Sequence, residues 1–146
     1  MSIAFGTMPA PTPVVLFPDP VARAIAWLGK FFPLSTWISQ DEPANRANEM
    51  IIITDTGGAG VYDVVFDETR LTVDVWAQDS VRASEMARTV YALLRAWPGQ
   101  ERDVYMRRGW SRPRYFPDDE TRIPRYVLTV QLAFRGATVE VSPSTT

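Results

Sequence analysis

The sequence contains no cysteine and no histidine. Disulfides, thiol nucleophiles, zinc sites built on Cys or His, and any Ser-His-Asp triad are excluded from the start. Lysine is almost missing too: of 15 basic residues only Lys30 is lysine, and the rest are arginine, whose planar head suits multi-donor interface contacts. No apolar run reaches the roughly 20 residues that a membrane span requires. The longest, Val21 to Leu34, is interrupted by Arg23 and Lys30. The first basic residue is Arg23, and a proline-rich run stands where a signal peptide has its apolar core, so export by that route is not expected. What is present is ordinary for a folded soluble chain: 146 residues, 46% hydrophobic, 12% aromatic and a net charge of -2. That is enough for one core, and it excludes disorder, collagen and coiled coil.

The pattern along the chain predicts an α+β fold: a mixed or largely antiparallel sheet of about five strands, with two helices packed mostly on one face. Residues 1–17 read as an extended Pro-rich arm, 18–136 as a single domain and 137–146 as a frayed, Ser/Thr/Pro-rich tail. Asp19 and Pro20 start a helix expected to run to about Phe32, on the recurrence of Val21, Ile25, Leu28 and Phe32. Trp27 and Phe31 add a second apolar stripe. A central core helix is the preferred explanation; a neighbouring chain that partly covers the helix is the other, and it makes Trp27 and Phe31 candidate contacts.

Short β-like runs follow at Leu34–Ile38, Glu49–Thr54, Val61–Phe66 and Arg70–Ala77, with a tight hairpin expected at Asp67, Glu68 and Thr69. Asp79 caps a second helix that ends near Trp97, buried through Met86, Val90, Leu93 and Trp97. Asp103–Arg108 reads as a further strand, and Arg125–Arg135 is the clearest of all, alternating Tyr126, Leu128, Val130, Leu132 and Phe134 against polar or smaller neighbours.

Three segments invite a chemical reading. Gly57-Gly58-Ala59-Gly60 lacks the Gly-Lys-Ser/Thr of a phosphate loop and is followed by strand-like residues, so a mobile turn is expected. Asp118, Asp119 and Glu120 are consecutive carboxylates without calcium-loop spacing, read as a solvated turn that pairs with arginines. No metal, cofactor or catalytic set is expected. The most unusual segment is Val104–Pro117, with Arg107, Arg108, Arg112 and Arg114, no acid, and Tyr105, Trp110, Tyr115 and Phe116 interleaved. Its local charge is +4 in a chain whose pI is about 5.1. Three readings stay open: a protein interface, where Trp, Tyr and Arg dominate; a solvated loop whose arginines pair with Asp118–Glu120; and a nucleic-acid groove. The acidic pI disfavours the last, and the interface is preferred. The stretch Gly109–Pro124 is taken as a long arm that reaches another molecule. The candidate contacts are therefore Arg107, Arg108, Trp110, Arg112, Arg114, Tyr115, Phe116 and Arg122, with Trp27 and Phe31.

Four pieces together resemble a known family. They are Val15-Leu16-Phe17-Pro18-Asp19-Pro20, Arg70-Leu71-Thr72-Val73-Asp74-Val75-Trp76-Ala77, the helix with Ala87-Arg88 and Ala92-Leu93-Leu94, and Ile123-Pro124-Arg125-Tyr126-Val127-Leu128-Thr129-Val130-Gln131-Leu132 closing with Arg135-Gly136. The family is that of the tail terminator, or tail-completion, proteins of long, non-contractile bacteriophage tails. The resemblance implies a non-enzymatic virion subunit that forms a ring, usually a hexamer. The ring caps the tail tube, stops its polymerisation and docks the head-neck connector. It further implies assembly in the host cytoplasm, contacts with the tail tube protein and the connector or stopper, DNA passing the lumen without specific binding, and no membrane. Asp55, Asp63 or Asp67 are candidates to face such a lumen. The head-completion or stopper protein of the neck is the near alternative, and a small nucleic-acid-binding protein using 104–117 is the alternative of another class.

Overall fold

The computed structural model describes residues 10–144. Along the chain these form β1 (Thr12–Leu16), α1 (Pro20–Gly29), β2 (Trp37–Ser39), β3 (Met50–Asp55), β4 (Gly60–Tyr62), β5 (Phe66–Trp76), α2 (Ser80–Ala96), β6 (Val104–Met106), β7 (Ser111–Tyr115), β8 (Arg125–Arg135) and β9 (Ala137–Val141). The fold is α+β, and its main sheet has seven strands rather than about five. The spine is the antiparallel pair β5 and β8, in register from Phe66 opposite Arg135 to Trp76 opposite Arg125. Strands β3 and β4 follow one another along the outer edge of β5, and β2 adds parallel to β3. Strands β6 and β7 share the outer edge of β8.

Strand alternation decides which face is buried. Ile51 and Ile53 of β3, Leu71, Val73 and Val75 of β5, and Leu128, Val130, Leu132 and Phe134 of β8 point to one side. Both helices close over that side, α1 through Val21, Ala24, Trp27 and Leu28, and α2 through Ala83, Met86, Ala87, Val90 and Leu94. Each fully buried Leu or Val contributes about 1.5–3 kcal/mol over leaving it in water. The helix starts are fixed as the sequence predicts. The Asp19 carboxylate accepts from the amides of Val21 and Ala22, and Asp79 accepts from Arg82 N. Trp97 follows α2 in a 3₁₀ turn and sits at the centre of an aromatic stack with Trp27, 6.2 Å, and Phe134, 5.5 Å.

Several expectations are corrected. Helix α1 stops at Gly29 instead of Phe32, because Lys30 and Phe31 donate to carbonyls three residues back and Pro33 disfavours helical backbone before it. The hairpin expected at Asp67–Thr69 lies earlier. The chain turns at Asp63 and Val64, both at positive φ, and residues 67–69 belong to β5, where the Thr69 hydroxyl donates to Leu132 O. The glycine loop is tied to its flanking strands: Arg70 N donates to Gly57 O and Gly57 N to Asp55 Oδ1. Gly58, at φ +112, lies so close to β5 that a Cβ there would meet Glu68 O at 2.6 Å. The arm expected over 109–124 contains β7, paired to β8 with a bulge between Ser111 and Arg114.

The chain ends are corrected as well. Of the expected N-terminal arm, 1–9 lies outside the described residues. Its later part is β1, paired antiparallel with β9 of the expected frayed tail to make a separate two-stranded ribbon. Gly136 permits that docking, since a Cβ would lie 2.5 Å from Val15 Cγ1. Among the described residues, no helix is long and apolar enough to cross a membrane.

Candidate interaction surface

The Arg-aromatic segment runs down the outer edge of β8 as β6, a turn, and β7. Two backbone-directed contacts hold the turn: Arg107 N donates to Gln131 O at 3.1 Å, and Trp110 Nε1 to the same oxygen at 2.8 Å. These contacts sort the four arginines. Arg107 turns inward to Glu68 at 3.1 Å and lies 4.6 Å from the centre of the Tyr62 ring. Its hydrogen bond to Glu68 Oε1 raises its pKa further, so it is an internal tie. Arg108 is exposed beside Arg107 and Met106.

Arg112 and Arg114 lie elsewhere, on β7. With Arg88 and Ser84 of α2, and with Tyr115 and Tyr126, they line a cleft of about 440 Å³ between the helix and β7. Among the described residues none of these three arginines has a carboxylate partner. Among the described residues, no arginine forms the ion pair with Asp118–Glu120 expected for a solvated loop. Asp118 instead accepts from Glu120 N and Thr121 N, both at 2.9 Å, and the Thr121 bond first, then the Glu120 bond, holds its carboxyl below the usual range. Arg88 and Arg112 thus face the cleft without an internal carboxylate, while the Arg114 guanidinium, at the cleft's rim, lies over the Phe116 ring.

The aromatic residues of the segment are already engaged. Trp110 packs edge-on to Tyr91 with Arg95 over it, Tyr115 packs on Tyr126, and Tyr105 on Phe66. Phe116, 41% exposed, carries the guanidiniums of Arg114 and Arg125, each 5.0 Å from its centre. Arg125 also reaches Trp76, at 4.7 Å, and Arg46 lies 4.4 Å from the same indole. Arg122, at φ +61, is exposed beside a second cleft of about 530 Å³ that Trp76 and Arg46 help to line. Bases stack on open aromatic faces in single-strand binding. Here those rings pack against neighbours of their own chain.

The two helix residues separate. Trp27 is only 6% exposed, its Nε1 donating to Leu93 O at 2.8 Å, so it belongs to the chain's own core and not to a free surface. Phe31, 49% exposed and edge-on to Trp27, remains outward. Sequence composition found Arg112, Arg114 and Tyr115 but missed Arg88, whose relevance comes only from α2 packing beside β7; its i, i+4 spacing from Ser84 was the one available signal. Among the described residues no cluster of three or more Asp and Glu is placed to hold a metal ion. No protein-family model matches the chain, and no curated protein matches it.

Proposed function

We propose that the chain is a structural ring subunit, the tail terminator of a long, non-contractile bacteriophage tail. The observation that carries this is the cleft lined by Arg88, Arg112 and Arg114 at the edge of the sheet, three arginines with no carboxylate partner among the described residues. An unsatisfied donor patch on one side of a subunit, met by a different patch on the next, gives a ring when the rotation closes. In this reading six copies cap the tube at its head-proximal end and meet the connector or stopper above. DNA passes through the lumen unbound. The protein carries no catalytic role and no cofactor, acts within the virion, and is assembled in the host cytoplasm.

The test mixes the purified chain with polymerising tail tube subunits and images the products. Tubes of shortened, uniform length bearing a ring at one end support the proposal. Unchanged tube lengths with no bound ring overturn it, and binding to emptied heads in place of tubes assigns the chain to the stopper role.

A further inference from the structure

Toward the opposite side of the same sheet, at the end of β3 and on the neighbouring β5, lies charge of the other sign. Asp55 ends β3 opposite Leu71, and Asp67 sits four residues before Leu71 on β5, so the two acids share the helix-side face. Among the described residues neither forms an ion pair, and Asp55 accepts only from Gly57 N, at 2.8 Å. Asp63, the third acid of this corner, acts electrostatically on Arg107. Burial, and then the charge of Asp55, push the Asp67 carboxyl above its ordinary value. The arginine cleft occupies the β7 edge on that same helix side, beyond β8, roughly three strand spacings or about 14 Å across the sheet.

We infer that the cleft lined by Arg88, Arg112 and Arg114 of one copy receives the Asp55 and Asp67 carboxylates of the next copy, head to tail. This rests on the ring proposed above and names the patch that meets the cleft. Guanidiniums match carboxylates in paired, planar geometry, and each patch neutralises the charge that the other leaves unanswered. Because the two patches differ, the contact is heterologous: it propagates around a ring and does not stop at a two-fold dimer. It also assigns Asp55 and Asp67 to the subunit boundary rather than the lumen wall.

Two charge-reversed chains test it, Arg112→Glu/Arg114→Glu and Asp55→Arg/Asp67→Arg. Each alone is expected to self-associate about tenfold or more weakly than wild type. An equimolar mixture is expected to recover the assembly with alternating subunits, since each reversed cleft meets a reversed corner. If arginine at the half-buried Asp67 prevents folding, Asp55→Arg alone takes its place. Should wild type assemble while the mixture associates no better than either chain alone, this pairing is wrong and the ring survives. Should wild type stay single even with tubes present, both fall. An oligonucleotide shift by wild type that disappears in Arg112→Glu/Arg114→Glu would give the cleft to phosphate and overturn the pairing.

Discussion

Arg23 reaches two carboxylates at once. Its Nη1 and Nη2 meet Asp103 at 2.7 and 2.8 Å, Nη2 also meets Glu101, and the fork ties α1 to the segment entering β6. The groups are about one-quarter to two-fifths exposed, so the tie lies between a surface pair and a buried one. Arg23→Ala is expected to cost about 1–2 kcal/mol at neutral pH, measured by urea unfolding. The hydrogen bond from Arg23 lowers the Asp103 pKa below its ordinary 3.8. Its stabilising contribution is therefore complete above that value and disappears as pH falls through the lowered one, so the two chains should converge in stability only in strong acid. Gly58 makes a different kind of demand. Alanine there combines a positive φ with contact against β5 backbone at 2.6–2.9 Å, and Gly58→Ala should lose more than about 2 kcal/mol in the same assay.

At the scale of elements, local pattern was enough where one strand or helix carries its own signal. β8 was legible end to end because its alternation is unbroken for eleven residues, and both helix starts were legible because Asp19 and Asp79 cap them through their own side chains. The losses all depend on distant partners. β7 has the proline and arginines of a loop and is a strand because β8 lies beside it; β9, though Thr138, Val139 and Val141 favour a strand, was merged with the Ser/Thr/Pro tail that follows it, and its pairing with β1 sets it apart. The turn at Asp63–Val64 lacks glycine, so the more polar Asp67–Thr69 was the better local signal for a bend that tertiary pairing placed elsewhere. Trp27 was misassigned for the same reason, since only the position of Trp97 and Leu93 shows its ring to be covered. The β1–β9 ribbon is two strands standing apart from the seven-stranded sheet. A two-stranded ribbon has little stability of its own. Hydrogen exchange should therefore run faster at Val14, Val15 and Val139 than anywhere in the β5–β8 pair; equal protection would mean that the ribbon is buried in an assembly.

For the whole molecule, net charge conceals the arrangement that matters. A chain at -2 places, among the described residues, arginines without carboxylate partners at one sheet edge and aspartates without ion pairs toward the other side. Opposed patches of this kind associate through electrostatics, so raising ionic strength toward 1 M, where the screening length shrinks to about 3 Å, should weaken assembly. The most direct test of the ring is the mass of the assembled wild-type protein, measured over a range of concentrations and again with tail tubes added. A single closed species of six copies is expected, its fraction rising with concentration or tubes and its size unchanged. One chain's mass at every concentration, with tubes as without, or an open series of growing masses, would contradict the account.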